Sequence, residues 1–260
     1  MLGEQLCHYP GCKAKLRAEI LPVLESLAEG VDEFVDVFAG AGGIALPMMF
    51  RCPDLDHVVN DLDPTLIALW LAVRDQPERL IERIKDTNPV YEDFRRARRA
   101  LRAITQLTDD PDEILEVGFQ RLIKQTTTFA GWMDGRARLD IGCNWPQWTR
   151  SRIRLNSDRM RFPRSVQITN RDFSSIIGNA VRRRLLFLDP PYWVEKLSST
   201  NCLYMHGFSA ADHARLAEML RLTPHRWVLT YGDHPRIRSL YGWARIETLG
   251  ERELLIGRHR

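Results

Sequence analysis

The chain has 260 residues, 44% of them hydrophobic and 27% charged, as in an ordinary globular protein. No apolar run approaches the ~20 residues of a membrane-spanning helix, and the N-terminus is too polar for a signal peptide, so we expect a cytoplasmic protein without a membrane partner. Five cysteines without a C-x-x-C pair argue against a disulfide framework, and Cys7, His8 and Cys12 match no usual zinc spacing, so we expect no metal.

Arginine supplies most of the positive charge. The net charge is only +3, but arginine outnumbers lysine 32 to 5 and is concentrated in the stretches 94–103, 150–164 and 182–184. Guanidinium groups bind phosphates and guanine edges in nucleic acids. A GC-rich coding sequence would also favour arginine, so the clustering of arginines is better evidence for a nucleic-acid partner than the ratio of arginine to lysine.

A βαβ unit is predicted near the N-terminus. Residues 34–38 have the pattern of a strand, followed by the glycine-rich AGAGG and a helical segment from Ile44 to Phe50. Residues 57–60 have the pattern of a second strand, and the helix after it has Pro64 in its first turn.

The glycine-rich turn of this unit has the features of a nucleotide site. Phe38, Gly40 and Gly42 lie where the strand passes into the helix, and glycines there let the backbone approach a ligand closely. Asp61 follows the second strand near the ~20-residue interval at which an acidic side chain binds a ribose hydroxyl. A dinucleotide is the competing ligand, but the third glycine is absent at the usual offset. The leading candidate is therefore S-adenosylmethionine.

The middle of the chain is charged and helix-prone and then irregular. We predict a mainly helical subdomain over residues 85–163, inserted into a sheet-forming domain of residues 1–84 and 164–260.

Two groups of arginines in this insertion are candidates for DNA binding. Arg95, Arg96 and Arg99 are expected to contact phosphates, with a solvated helical face as the alternative. The loop that contains Arg136 and Arg138 is the preferred base-reading element.

Strand patterns return after the insertion. They cover residues 165–169, 184–188 and 226–230, and a helix at 210–221 precedes the last of these strands. The C-terminal stretch ARIETLGERELLIG predicts a hairpin with LGE as its turn. The fold class that follows is α/β, with a doubly wound Rossmann-like sheet interrupted by the helical insertion.

The stretch LLFLDPPYW places a carboxylate at the end of a buried strand. Asp189 is expected at the carboxyl edge of the sheet, where open α/β folds bind ligands. Pro190 and Pro191 make the turn stiff and offer carbonyls without N–H donors, and Tyr192 adds a flat face. A planar molecule with an amino group, such as a nucleobase, suits this turn. A strand-ending turn with a capping aspartate is the alternative.

Three further residues are candidates for ligand contacts. Asp172, just past a predicted strand, could accept a hydrogen bond from an adenine amino group or cap a helix. Tyr9 and Lys13 flank a glycine turn, where Lys13 could neutralise a carboxylate such as that of a methionine moiety. A solvated lysine is the alternative.

In their order and wording, these stretches resemble the motifs of the D12 class, or Dam-like family, of DNA adenine-N6 methyltransferases. The segments YPGCKAKLRAEILPVL, FVDVFAGAGGIAL, VVNDLDPTLIALW, VQITNRDF and LLFLDPPYW are similar, in this order, to its N-terminal cofactor, glycine-rich, acidic, adenine-binding and catalytic motifs. Cys12 stands where the first motif usually has a second glycine. The residues that the resemblance implies as cofactor contacts are Tyr9, Lys13, Asp61, Asp172 and Asp189.

The resemblance implies transfer of a methyl group from S-adenosylmethionine to the N6 amine of adenine in double-stranded DNA. It also implies target recognition for the insertion over residues 85–163 and catalysis for the surrounding domain. Asp189 through Tyr192 would hold a target base that is flipped out of the duplex, with the Asp189 carboxylate and the Pro190 carbonyl accepting from its amine. We expect a monomer without an obligate protein partner. Two alternatives stay open, an N4-cytosine DNA methyltransferase and a catalytically silent DNA-binding module.

Overall fold

The computed structural model describes residues 5–7, 13–87, 89–126, 165–178, 182–194, 207–250 and 253–257. The sequence predictions for Tyr9, Arg136 and Arg138 lie outside these residues.

A seven-stranded sheet forms the centre of the molecule, in the order β3-β2-β1-β4-β5-β7-β6. The first five strands run parallel to one another, and β7 runs antiparallel to both β5 and β6. The strands are β1 (Glu33–Asp36), β2 (Asp56–Asn60), β3 (Gln167–Thr169), β4 (Arg184–Leu188), β5 (Arg226–Gly232), β6 (Arg245–Leu249) and β7 (Glu253–Gly257).

Helices cover both faces of this sheet. They are α1 (Arg17–Ala28), α2 (Ala45–Arg51), α3 (Pro64–Asp75), α4 (Pro77–Asp86), α5 (Tyr91–Arg102), α6 (Pro111–Thr126), α7 (Phe173–Ile177), α8 (Ala210–Leu222) and α9 (Pro235–Leu240), with a short 3₁₀ helix, Lys13–Leu16, before α1. Each element that the sequence predicted among the described residues is present, with ends that differ by a few residues.

The central strand β4 is apolar without alternation because both of its faces are buried. Leu185 packs in the hydrophobic cluster that contains α1 and α2, whereas Leu186 packs in the cluster that contains α7 to α9. A two-sided core of this kind produces continuous hydrophobic runs in parallel strands. The predicted doubly wound α/β class is thus confirmed.

The first strand is shorter than its sequence pattern suggested. Residues 34–38 were predicted as strand, but β1 ends at Asp36. The backbone N–H of Val37 donates to Phe187 O at 2.9 Å, and that of Ala39 donates to Asn60 O at 2.9 Å. Residues 37–39 therefore bridge the ends of the neighbouring strands and lead the chain into the glycine-rich turn.

Helix α6 packs directly on α3. A side-chain carbon added at Gly118 would lie 2.9 Å from the backbone oxygen of Ala68, so glycine allows the two helices to approach closely. Arg121 is fully buried and forms an ion pair of 2.7 Å with Asp63, which also caps the N-terminus of α3. Helices of the predicted insertion thus share a core with the catalytic sheet, and the division at residues 84 and 164 stays a prediction.

Candidate active site

A deep cleft opens at the carboxyl ends of β1, β2 and β4. Its volume is about 1060 Å³ when the open mouth is included. The predicted site residues that line it are Lys13, Phe38, Gly40, Asp61, Asp172, Asp189 and Pro191. Residues from five separate parts of the sequence therefore meet at the edge of the sheet where open α/β folds bind ligands.

The glycine-rich turn forms one wall of the cleft. Gly40 and Gly42 have φ angles of 52° and 83°, in the left-handed region that favours glycine. The indole Nε1 of Trp70 donates to Gly40 O at 2.9 Å, and a side-chain carbon at Gly42 would lie 2.7 Å from the same indole. Gly42 does not line the cleft. The absence of a side chain at Gly42 lets the turn pack closely on Trp70, and this packing places Gly40 at the cleft.

The Asp61 carboxylate holds this turn from the end of β2. Its Oδ2 accepts from the backbone N–H of Gly40 at 3.0 Å, and its Oδ1 accepts from that of Asp63 at 2.9 Å. Burial raises the pKa of Asp61 to about 6, although these two hydrogen bonds favour the charged form. The carboxylate is thus fixed by backbone donors and faces the cleft.

A second buried carboxyl group, Asp36, lies between Asp61 and Asp189. Burial raises the pKa of Asp36 well above its usual value, and the negative charges of Asp189 and Asp61 raise it further. Both effects favour the neutral form of Asp36, which lines the cleft. Asp36 was not predicted as a site residue, although an acidic residue inside the apolar run FVDVF is a signal of a functional position.

Three phenylalanines form an aromatic wall. The rings of Phe38, Phe173 and Phe208 lie with their centroids 5.6–5.9 Å apart, and all three line the cleft. Such a wall can bind the flat face of a purine by stacking. Phe208 comes from the start of the C-terminal segment and was not predicted as a site residue.

Asp172 lies at the rim of this wall and also caps a helix. Its Oδ1 accepts from the backbone N–H of Ser174 at 3.0 Å, and its Oδ2 accepts from Arg215 at 3.1 Å. Burial disfavours the charged form, but the bonds from Ser174 and Arg215 outweigh it and lower the pKa. Asp172 therefore caps a helix and also lines the cleft, so this geometry is compatible with both roles that the sequence suggested.

The Asp189 carboxylate is held by two side chains. Its Oδ1 accepts from Thr230 Oγ1 at 2.8 Å, and the ammonium group of Lys13 lies 2.8 Å from it. Thr230 is fully buried on β5, the strand next to β4. Thr230 was missed in the sequence, because it stands within an ordinary strand pattern 41 positions from Asp189.

The other residues of the DPPY turn differ in how they are placed relative to the cleft. Pro191 lines the cleft, whereas Pro190 is buried and Tyr192 packs against Gly232 rather than lining the cleft. The Tyr192 hydroxyl donates to Glu253 at 2.9 Å, and the Lys13 ammonium group lies 4.7 Å from its ring centroid. Tyr192 is therefore oriented from two sides.

The arginines predicted to bind phosphates lie on the exposed face of α5. Arg95, Arg96 and Arg99 are all exposed, and each is paired with an acidic residue of the same helix, Glu92 or Asp93. These ion pairs reduce the net positive charge of that face. DNA binding by these three residues stays a prediction.

The described part of the chain contains no helix long and apolar enough to cross a membrane. Within the same residues, no group of three or more His, Cys, Asp or Glu side chains could hold a metal ion.

A mostly parallel seven-stranded sheet with an antiparallel last pair, and a cleft built from a glycine-rich turn and strand-end carboxylates, define a Rossmann-like methyltransferase. The family model "D12 class N6 adenine-specific DNA methyltransferase" matches residues 9–253. The chain belongs to this family and is a DNA adenine-N6 methyltransferase. This result confirms the predicted function and disfavours the N4-cytosine and catalytically silent alternatives.

A curated relative supports the same assignment. The Type II methyltransferase M1.LlaDCHI of Lactococcus lactis subsp. cremoris is 23% identical over 246 residues, which cover 86% of this chain and 81% of the relative. The similarity extends over most of both proteins.

Proposed function

We propose that the cleft binds S-adenosylmethionine beside a flipped adenine of double-stranded DNA, and that Asp189 promotes transfer of the methyl group to the adenine N6. One observation carries the proposal. Gly40 in the glycine-rich turn and Asp61 at the end of β2 line the same cleft as Asp189 and Pro191 at the end of β4. A donor bound at the first pair is thus next to an amine bound at the second.

The donor suits the residues on the β1–β2–β3 side of the cleft. Each oxygen of Asp61 accepts one backbone hydrogen bond and keeps a lone pair that can accept from a ribose hydroxyl. The wall of Phe38, Phe173 and Phe208 offers an aromatic face for the adenine ring of the donor, with Asp172 at its rim to accept from the amino group.

Lys13 is suited to the carboxylate of the donor. Its ammonium group has three donors, so one can stay on Asp189 while another binds an incoming carboxylate. Lys13 is buried, and this strengthens its attraction to an anion in the cleft. Tyr9 stays a predicted contact of the same moiety.

The methyl acceptor needs help because the amine of adenine is a poor nucleophile, with its lone pair delocalised into the ring. The Asp189 carboxylate and the Pro190 carbonyl would accept the two amino hydrogens and favour a tetrahedral nitrogen. Their stabilisation grows as the nitrogen becomes positive, so it lowers the barrier more than it strengthens ground-state binding. S-adenosylmethionine supplies the methyl group as an electrophilic sulfonium. Holding the two reactants in line accounts for much of the remaining acceleration.

The target adenine must leave the base stack to reach Asp189, at a cost of a few kcal/mol. Stacking on an aromatic ring is worth about 1–3 kcal/mol per base and can offset this cost. Tyr192 stays the predicted stacking ring because of its place in the DPPY turn, although its ring packs against Gly232 in the structure.

The proposal extends to the cellular setting. We propose a monomeric enzyme, bacterial or phage-encoded, that acts in the cytoplasm, where its DNA substrate lies. Arg95, Arg96 and Arg99, with Arg136 and Arg138, are the proposed DNA contacts. The name of the Lactococcus relative motivates a role in restriction-modification.

The direct test is the identity of the methylated base. Purified protein is incubated with labelled S-adenosylmethionine and mixed genomic DNA, and the DNA is digested to nucleosides for mass spectrometry. We expect N6-methyladenine from duplex DNA. N4-methylcytosine would contradict the proposed acceptor, and the absence of any methylated nucleoside from protein that binds the donor would contradict the enzyme.

A further inference from the structure

An aromatic and basic patch follows directly on the DPPY turn. Trp193 is the residue after Tyr192, is half-buried, and packs its ring against His213 at 4.9 Å and His234 at 6.0 Å between centroids. The guanidinium of Arg236, in the first turn of α9, lies 5.2 Å from the Trp193 ring centroid. The patch is therefore at the end of β4 and β5, on the side of the cleft assigned to the DNA base.

Arg236 and its neighbour Arg238 differ in whether a carboxylate is paired with the guanidinium group. Arg238 forms two hydrogen bonds of 2.7 Å to the carboxylate of Asp233. Arg236 is exposed and makes no ion pair with any carboxylate of the described residues. No carboxylate of the described residues therefore compensates its positive charge, whereas Arg95, Arg96 and Arg99 on α5 are each paired with an acid.

We propose that Trp193 and Arg236 form a phosphate-binding subsite for the DNA strand that carries the target adenine. The inference rests on the proposed function, since it needs DNA at Asp189. It adds a contact outside both arginine groups that the sequence suggested.

Distance supports this assignment. Trp193 is four residues beyond Asp189, so their Cα atoms lie no more than about 14 Å apart. Each DNA strand carries one phosphate per about 3.4 Å of helix axis. A strand whose adenine reaches Asp189 thus brings its nearest phosphates within range of the patch.

The chemistry of the patch suits a phosphate better than a base. The Trp193 ring restrains the Arg236 guanidinium by a cation–π contact, so less conformational entropy is lost when the guanidinium binds. The guanidinium edge can form two parallel hydrogen bonds to phosphate oxygens. The partner recognised here is the sugar–phosphate backbone, so the subsite contributes affinity and register but not sequence preference.

The experiment compares two variants that remove the same formal charge from the same helix. Binding of fluorescent mixed-sequence DNA duplexes is measured by anisotropy at several salt concentrations for the parent, Arg236→Gln and Arg238→Gln. We expect Arg236→Gln to weaken binding and to reduce the slope of log affinity against log salt by about 0.9, the value for one lost phosphate contact. Arg238→Gln should keep the parent slope, because Asp233 already neutralises that arginine.

A second pair of variants tests the role of the ring. Trp193→Phe keeps an aromatic face under the guanidinium and should bind DNA as the parent does, whereas Trp193→Leu should weaken binding. An unchanged slope in Arg236→Gln, or an equal change in Arg238→Gln, would overturn the subsite. The measurement needs no methyl transfer, so a failure of the subsite is distinguishable from a failure of the proposed function.

Discussion

The two sides of the cleft hold their carboxylates in different ways. On the β1–β2–β3 side, Asp61 is bonded to the backbone N–H groups of Gly40 and Asp63. On the β4–β5–β7 side, Asp189 is bonded to the side chains of Thr230 and Lys13. The main chain of the fold fixes one carboxylate, whereas two buried side chains fix the other.

This difference matches what each side is proposed to do. A donor that binds in one conformation is served by a rigid backbone cradle, which loses little entropy on binding. The amine of adenine gains positive charge during the reaction, and a carboxylate already held in place stabilises that charge in the transition state. Changes on the first side should therefore weaken cofactor binding, and changes on the second side should slow the methyl transfer.

The largest expected effect is that of Asp189→Asn. Loss of one preorganised electrostatic contact typically costs about 10²–10³ in rate. The amide oxygen can still accept from Thr230, so we expect the local packing to survive while kcat falls by this amount. Steady-state methyl transfer gives kcat, and calorimetry gives the affinity for S-adenosylmethionine, which should stay near that of the parent. A turnover close to that of the parent would contradict the role of Asp189.

The next largest effect is expected on the other side of the cleft. Asp61→Ala removes a charged acceptor whose hydrogen bonds are worth about 1.5–3 kcal/mol, so the affinity for S-adenosylmethionine should fall about 10- to 100-fold. Calorimetry measures the affinity, and thermal unfolding serves as the control, because Asp61 also holds the glycine-rich turn. An intact variant that binds the donor as tightly as the parent would show that Asp61 does not contact the ribose.

The sequence revealed the first side of the cleft better than the second. Asp61 and Asp189 were found because each follows an apolar strand, and the carboxyl ends of parallel strands meet at one edge of the sheet. Thr230 and Glu253 were not found, because they contact Asp189 and Tyr192 from 41 and 61 positions away along the chain. Such contacts depend on strand order, which leaves no local pattern in the sequence.

The helices and strands could be predicted from the sequence, whereas contacts between distant elements could not. The strands and helices follow from hydrophobic runs, glycines and prolines, which act locally. The burial of Arg121 against Asp63 depends on the packing of α6 on α3, two elements far apart in the chain. An arginine in a helix is ordinarily exposed, so its sequence gave no sign of a buried pair.

A smaller effect should follow from Thr230→Val. The substitution keeps the shape of the side chain and removes the hydroxyl that donates to Asp189 at 2.8 Å. Because Lys13 still contacts the carboxylate, we expect kcat to fall only about tenfold, which corresponds to about 1.4 kcal/mol. The KM for the donor should not change, and Thr230→Ser should restore most of the rate. Equal losses in the Val and Ser variants would indicate a packing defect instead of a lost hydrogen bond.

The smallest predicted effect is a pH dependence of donor binding. With a pKa of about 6, Asp61 is mostly ionised at pH 7 and mostly protonated at pH 5.5. A ribose hydroxyl donates to the ionised form, so the affinity for S-adenosylmethionine should fall about fourfold over this range. Calorimetry at pH 7, 6.25 and 5.5 measures the fall, and Asp61→Asn should abolish it.

Protonation of Asp61 affects the free energy of unfolding in the opposite direction from donor binding. A loss of binding at low pH can therefore be distinguished from acid unfolding at this residue. The pKa of Asp61 is raised in the folded state, so its own contribution to the free energy of unfolding is larger at pH 5.5 than at pH 7 and is lost as the pH rises through about 6. Protonation of Asp61 thus weakens binding without unfolding the protein. Asp36 and Asp63 lie close by, and the Asp61→Asn control keeps both of them. A parallel loss of affinity in Asp61→Asn would assign the pH dependence to one of these neighbours and exclude Asp61 as the ribose acceptor.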